Sequence, residues 1–266
     1  MFKHHKYEFI KDLIENDIST MLIGPSGCGK STIAIQAIKE LNMEMSAMVF
    51  TKQTSINSIL GFISVNGTYI SSQFREAFEH GKVFLAEEYN GADSNVLLTF
   101  NTIENGYMAF PDKIVHVHPN FRFVATSNPE DKIYTGRSIL DFATIDRFFK
   151  VRLDRDEDLE LNLTSPNVIS QVTMARTFLK SQGSSIQVTM RDSLRIHKLG
   201  KLKLIKDPLL EVVFYSDPNL GEIYLKEIDH LKEEQKRKEE EERENNKSQQ
   251  EMTNYQDYIT KIKKGL

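Results

Sequence analysis

An eight-residue segment, Gly24-Pro25-Ser26-Gly27-Cys28-Gly29-Lys30-Ser31, constrains the fold of this chain more than any other feature. It follows a short apolar run, Met21-Leu22-Ile23, and precedes apolar residues at helical spacing from Ile33 to Leu41. A glycine-rich loop between a strand and a helix N-terminus presents unpaired backbone N–H groups to an anion. The pattern therefore predicts a phosphate-binding loop, and with it a nucleoside triphosphate site in an α/β fold.

Each position of this loop has an expected role. The glycines let the backbone curl around the phosphates, Lys30 reaches the β- and γ-phosphates, and the Ser31 hydroxyl is a ligand of Mg²⁺. We interpret Cys28 as a small filler and not as a nucleophile. The residues expected to contact the nucleotide are the loop and its next neighbour: Gly24, Pro25, Ser26, Gly27, Cys28, Gly29, Lys30, Ser31 and Thr32.

Composition narrows the class of protein. The chain has 266 residues and a net charge of −4 with both signs well mixed, so it offers no reason to expect strong electrostatic binding to nucleic acid. The single cysteine excludes an intramolecular disulfide and suits a reducing compartment. The segment Met1–Lys6 lacks the apolar core of a signal peptide, and no apolar run approaches the ~20 residues that span a bilayer. We expect a cytoplasmic protein with no membrane contact.

Apolar runs alternate with helical patterns through the first 155 residues. The pattern predicts a helix over 93–105 that stops at Gly106. Strands that alternate with helices indicate a parallel sheet covered on both faces. The five predicted strands are 21–23, 47–51, 82–86, 121–126 and 148–153.

Two β-hairpins are predicted as insertions between these strands and helices. Asn66-Gly67 lies between alternating apolar residues in the segment 61–70, which is a strong hairpin signal. A second hairpin is expected over 107–117. Binding residues concentrate on loops of such a scaffold, so the hairpins are candidate binding elements, although both also fit a purely structural role.

After Asp154 the sequence pattern predicts helices and no further strand. One apolar stripe predicts a helix around 168–179, and Leu194, His197, Leu199 and Leu202 suggest the buried face of another. Residues 232–246 are almost wholly charged or amide, so we expect a solvated helix or a disordered linker there. Tyr255, Tyr258, Ile259 and Ile262 share one helical face, which fits a docking helix or a weakly ordered tail. The expected organisation is a nucleotide-binding core (1–155), a helical lid (156–230) and a charged linker with a C-terminal tail helix (231–266).

Hydrolysis needs more than a phosphate loop. Glu87 and Glu88 end the third predicted core strand, at the edge where open α/β sheets bind ligands. We assign Glu87 to the Mg²⁺ site through a water and Glu88 to orienting the attacking water. Asn128 follows the neighbouring strand and is expected to reach the γ-phosphate and that water. Arg147 precedes the last strand and is a candidate finger for a neighbouring subunit.

The span from about 20 to 155 resembles the AAA+ ATPases of the MoxR-like branch, and looks most like the CobS (cobaltochelatase small-subunit) type. The resemblance rests on segments 24–31, 85–90, 118–129 and 134–148. It implies that Lys30 and Ser31 belong to Walker A, Glu87 and Glu88 to Walker B, Asn128 to sensor 1, Arg147 to the trans-acting finger, and Arg191 to sensor 2 of the lid.

The resemblance also carries expectations about partners. It implies an ATP- and Mg²⁺-dependent ring, expected to be a hexamer, that remodels a protein partner carrying a von Willebrand factor A-type domain. The chain departs from the family at Glu87, where aspartate is usual. Because glutamate is one methylene longer and Mg²⁺ demands near-ideal octahedral geometry, slower hydrolysis is expected.

Two other functions stay open at this point. One is a nucleic-acid-translocating or restriction-type motor, for which the only support is a group of lid lysines: Lys198, Lys201, Lys203 and Lys206. The other is a nucleotide-gated scaffold that assembles and hydrolyses slowly.

Overall fold

The computed structural model describes residues 3–129, 138, 140 and 142–263, with side chains up to residue 250 except 245 and 248. Part of the segment that carries the family resemblance, 134–137, 139 and 141, therefore lies outside the described residues. The side chains of the predicted docking face at 255–262 lie outside them as well.

A five-stranded parallel sheet forms the centre of the first half. Its strands are β1 (Thr20–Ile23), β2 (Met45–Val49), β5 (Val83–Glu87), β8 (Arg122–Ser127) and β9 (Phe149–Arg152). They lie side by side in the order β2-β5-β8-β1-β9. The predicted sheet is confirmed, with the second strand two residues earlier than expected. The three inner strands are almost wholly buried, which explains why they read as continuous apolar runs.

Helices cover both faces of this sheet, and each face has its own core. One face is rich in phenylalanine, with Phe74, Phe84, Phe100 and Phe123 in edge-to-face or tilted contact. The other face packs mostly aliphatic residues of the first two helices against β1, β5 and β8. The helices of this half are α1 (Tyr7–Glu15), α2 (Lys30–Glu40), α3 (Ile56–Leu60), α4 (Gln73–His80), α5 (Ser94–Leu97) and α6 (Phe142–Asp146).

The predicted helix over 93–105 is split in the structure. Asp93 caps α5, which passes at Leu98 into a 3₁₀ segment, Leu98–Asn105. Gly106 then ends the segment with a φ of 76°, which confirms the predicted stop, because glycine adopts this left-handed conformation at little cost.

Both predicted hairpins are present. β3 (Phe62–Ile63) pairs antiparallel with β4 (Tyr69–Ile70) around a turn in which Gly67 has a φ of 79°. β6 (Tyr107–Ala109) pairs with β7 (Ile114–His116) in the same way.

After β9, the described chain is helical. The helices are α7 (Glu157–Leu163), α8 (Pro166–Ser181), α9 (Met190–Leu202), α10 (Pro208–Val213) and α11 (Pro218–Lys263). The apolar stripe predicted around 168–179 is the buried face of α8.

The stripe predicted on the next helix was wrong. α9 buries Met190, Ser193 and Ile196, whereas Leu194 and Leu202 are exposed. The physical reason is that Ser193, a polar residue, lies in the core, where its hydroxyl donates to Glu160. A pattern of apolar residues does not predict that a polar residue such as Ser193 is buried.

The charged segment predicted as a helix or a linker is part of α11, which continues for 46 residues. Tyr224 on its first turns packs into the same core as Phe178 and Phe214. From residue 235 onward every described side chain is exposed. No helix among the described residues is both long and apolar enough to cross a membrane.

Candidate nucleotide site

The glycines of the loop at 24–31 are each required by the backbone. Gly27 and Gly29 have φ values of 75° and 94°, and Gly29 is the residue immediately before α2. A Cβ on Gly24 would lie 2.2 Å from the carbonyl oxygen of Leu153, so only glycine fits this close approach. The loop therefore turns sharply and delivers the N-terminus of an 11-residue helix to the carboxyl edge of the sheet.

Lys30 is buried at the base of this loop. Its Nζ donates to the carbonyl oxygens of Gly24 at 2.7 Å and Pro25 at 3.0 Å, and to Asn128 Oδ1 at 2.9 Å. Its side chain thus joins the loop to the end of β8. Cys28 is also buried, and burial raises the pKa of its thiol, so it remains protonated at neutral pH and fits the filler interpretation.

Ser31 and Glu87 are brought together from separate elements. The Ser31 hydroxyl donates to Glu87 Oε2 in a short hydrogen bond between the first turn of α2 and the end of β5. Hydroxyl and carboxylate oxygens are ligands that Mg²⁺ prefers, directly or through water. This donor set at the mouth of a phosphate loop fits the predicted Mg²⁺ site.

Glu88 leaves the strand in an unusual conformation. Its φ of 55° and ψ of 42° lie in the left-handed region, which is uncommon for residues other than glycine and recurs at functional sites. Its backbone N–H donates to Thr126 Oγ1 at 3.1 Å, and its Oε2 accepts from Asn128 Nδ2 at 2.8 Å. The turn directs the carboxylate of Glu88 towards Asn128 and away from the direction that a continuing strand would give it.

The structure thus unites five of the predicted site residues at one edge of the sheet. They are Lys30, Ser31, Glu87, Glu88 and Asn128. Sequence reasoning missed two neighbours, Thr126 and Asn90. The signal for Asn90 was its place two residues after Glu88, within the motif segment 85–90; Thr126 ends an apolar run and gave no separate signal.

Arg147 lies near the amino-terminal ends of the strands, whereas the phosphate loop lies at their carboxyl-terminal ends. Arg147 precedes β9, whose first residue, Phe149, pairs with Thr20 at the start of β1. Because the strands are parallel and the phosphate loop follows the end of β1, Arg147 faces away from the loop of its own chain. Its guanidinium contacts the Ala143 carbonyl and pairs with Glu104 at 3.5 Å.

Arg191 and Thr32 are less directly placed. Arg191 is exposed at the second position of α9, with its Cβ 3.5 Å from where a Gly27 Cβ would be. This helix start therefore lies directly against the phosphate loop. Thr32 is exposed on α2 and lines a separate groove with Lys3 and Ile35.

A cavity of about 420 Å³ opens between the loop and the helices that follow β9, a volume typical of small-ligand pockets. Its walls combine Pro25 and Cys28 of the loop with apolar side chains such as Leu179 and Met190. Arg155 and Arg176 also line it, and both pair with the buried carboxylate of Glu160. We call it the P-loop cavity.

The parallel sheet, the phosphate loop and the acidic and amide residues at its edge define a P-loop domain of the AAA+ fold. Comparison with known families agrees: residues 19–148 match the profile described as the AAA domain (dynein-related subfamily).

Individual relatives are distant. The gas vesicle ATPase GvpN1 of Halobacterium salinarum is 24% identical over 177 residues, which are 55% of this chain and 50% of that protein. This chain thus spans about half the length of that relative. A crystallised protein from Cytophaga hutchinsonii is 19% identical to this chain. The match covers 73% of this chain and 58% of that protein, with a TM-score of 0.48. NtrX from Brucella abortus is 16% identical to this chain. The match covers 77% of this chain and 48% of the NtrX chain, with a TM-score of 0.47.

Proposed function

We propose that this chain is an ATPase of the MoxR-like type that binds ATP with Mg²⁺ and hydrolyses it to ADP and phosphate. The observation that carries the proposal is the contact of Asn128 with both Lys30 and Glu88, next to the Ser31–Glu87 pair. One lysine, two carboxylates and one amide at the mouth of a phosphate loop are the groups that phosphoryl transfer to water requires.

Each side chain has a role in this proposal. Ser31 and Glu87 would hold Mg²⁺, Glu87 through a water, and the bound ion would neutralise charge on the phosphates. Lys30 exchanges its contacts with the loop carbonyls for phosphate oxygens, and Glu88 accepts a hydrogen bond from the attacking water and orients it. Asn128 holds the carboxylate of Glu88 and the ammonium of Lys30 in a fixed position relative to each other.

The P-loop cavity is the proposed place for the base and ribose. It adjoins Pro25 and Cys28, so a nucleotide whose phosphates lie on the loop extends into it without crossing another element. Its lining combines apolar side chains with polar and charged ones, which suits the apolar faces and the polar edges of a purine nucleoside. Arg191, at the start of the helix that touches Gly27, is then in place to contact the γ-phosphate.

Assembly is the second part of the proposal. An arginine at the far edge of the sheet contributes to hydrolysis only if it enters the site of another copy. We therefore propose a homo-oligomeric ring, expected to be a hexamer, in which Arg147 of one subunit completes the site of its neighbour.

Remodelling of a protein partner is the proposed output. The segment between Lys52 and Arg75 contains no charged residue, and the hairpin within it exposes Phe62, Ile63 and Val65. Such a surface suits contact with another polypeptide. By resemblance to the CobS type, the proposed partner carries a von Willebrand factor A-type domain.

The test is ATP turnover of the full chain beside two variants. The unmodified chain should release phosphate from Mg²⁺–ATP. Lys30→Ala should lose nucleotide binding, because it removes the buried ammonium group at the base of the loop, and a fluorescent ATP analogue measures this directly. Glu88→Gln should keep binding and lose turnover by roughly a hundredfold or more.

Controls separate this proposal from its rivals. Exposed Glu15→Gln should match the unmodified chain. Tight ATP binding with negligible turnover in the unmodified chain would instead identify a nucleotide-gated scaffold. Tight ATP binding by Lys30→Ala would refute the assignment of the phosphate loop.

A further inference from the structure

Asn90 is buried beside the site but has no role in the proposed chemistry. Its side-chain Nδ2 donates to the backbone carbonyl of Asn128 at 3.1 Å, and its own carbonyl accepts from the N–H of Ser138 at 2.8 Å. Ser138 is held in turn, since its hydroxyl donates to the Ala92 carbonyl and accepts from Lys52 Nζ. Asn90 therefore links the end of β8 to the turn after β5 and to Ser138.

The Oδ1 atom of Asn90 is buried and has no hydrogen-bond partner among the residues that the structure describes. A buried polar atom without a partner is destabilising, and an apolar side chain of similar size would avoid that cost. A flipped amide would set oxygen against the Asn128 carbonyl, so the contact fixes its orientation. What this position supplies is one donor, aimed at Asn128.

The donor acts on the residue that organises the site. The Asn128 side chain spans Lys30 and Glu88, with its Oδ1 accepting from the ammonium and its Nδ2 donating to the carboxylate. A shift of its backbone moves both contacts together. We propose that Asn90 is a positioning residue for hydrolysis, holding the Asn128 backbone so that its amide bridges Lys30 and Glu88.

This inference rests on the proposed ATPase function, and kinetics of the full chain test it. Asn90→Ala removes the donor, and Asn90→Asp replaces it with an acceptor of nearly equal size. Each should lower kcat by about tenfold to a hundredfold, because small displacements at a reacting centre cost that much. KM for ATP and nucleotide affinity should stay close to those of the unmodified chain in both variants, as should the Tm of Asn90→Ala. Asn95→Ala, at an exposed asparagine nearby, is the matched control and should change none of these.

A double variant decides whether Asn90 acts through Asn128. If it does, Asn90→Ala adds no further loss of kcat to Asn128→Ala; multiplicative losses would overturn the inference. Unchanged kcat in both Asn90 variants, or parallel falls in kcat, affinity and Tm, would overturn it as well. Absence of turnover in the unmodified chain would count against the proposed ATPase function, whereas turnover that is insensitive to Asn90 would count against this inference alone.

Discussion

At the scale of single residues, the carboxylates of Glu87 and Glu88 are adjacent in sequence but serve different partners. Glu87 is the last residue of β5 and contacts Ser31, whereas Glu88 turns into the left-handed region and contacts Asn128. In a continuing strand, neighbouring side chains would point to opposite faces of the sheet. The turn at Glu88 lets both carboxylates serve one site.

Gly27 offers a test of the loop at this scale. It has a φ of 75°, and an added Cβ would lie 2.9 Å from the Cβ of Thr189. Gly27→Ala should therefore push the start of α9 away from the loop and weaken ATP binding by at least about tenfold. Titration with a fluorescent nucleotide measures the change.

Gly106→Ala is the matched control, because its φ is 76° but open space surrounds it. It should lower the free energy of unfolding by about 1 kcal/mol and leave ATP affinity unchanged. Equal affinity in the two variants would show that contact between the loop and α9 does not matter for binding.

The residues of the site were more predictable from sequence than their conformations. Lys30, Ser31, Glu87, Glu88 and Asn128 stand in local motifs, and strand order alone was enough to bring them to one edge. The left-handed turn at Glu88 and the role of Asn90 depend on contacts with a different strand, which a local pattern does not encode. The sequence-based prediction for α9 failed for a related reason, since Ser193 is buried by a partner 33 positions away.

At the scale of elements, a buried ionic network joins the helices that follow the sheet. Glu160 of α7 is 1% exposed and accepts two hydrogen bonds from Arg176 of α8 at 2.7 and 3.2 Å. It also pairs with Arg155 and accepts from Ser193 of α9. Arg176 in turn donates to the Val188 carbonyl, just before α9. One carboxylate thus fixes three helices around the wall of the P-loop cavity.

Removal of that carboxylate should be costly. Glu160→Ala removes the acceptor of the buried Ser193 hydroxyl and the counter-charge of the partly buried Arg176 guanidinium, and we expect it to lower the free energy of unfolding by about 3 kcal/mol. Thermal and urea denaturation measure this. Glu157→Ala, at a neighbouring carboxylate with a largely exposed side chain, also pairs with Arg155 but should cost less than about 1 kcal/mol. Similar losses in the two variants would mean that burial of Glu160 contributes little.

At the scale of the whole molecule, the parallel sheet separates the two halves of the proposed catalytic machinery. The phosphate loop follows the carboxyl end of β1, and Arg147 lies beside its amino end. The proposed ring would bring Arg147 of one subunit to the phosphate loop of the next, which a single chain cannot do for itself.

Mixed assemblies test this geometry. Arg147→Ala and Glu88→Gln should each be nearly inactive alone, but mixing them should restore part of the turnover, because some sites then combine an intact Glu88 with an intact Arg147. Phosphate release across mixing ratios measures the effect. A mixture of Arg147→Ala with the double variant Glu88→Gln/Arg147→Ala is the control, since it contains no intact Arg147. Recovery at no ratio would argue that Arg147 does not act in trans.

The long helix α11 affects how such assemblies have to be measured. At about 1.5 Å per residue, its 46 residues extend for roughly 70 Å, about twice the diameter of a small domain. The first turns of this helix pack against the helical core, but its described side chains from residue 235 onward are all exposed, and an extended exposed helix raises hydrodynamic friction more than it raises mass. Elution volumes calibrated with compact standards would therefore overstate the number of subunits, and light scattering or sedimentation equilibrium, which report mass independently of shape, are the appropriate measurements of ring size.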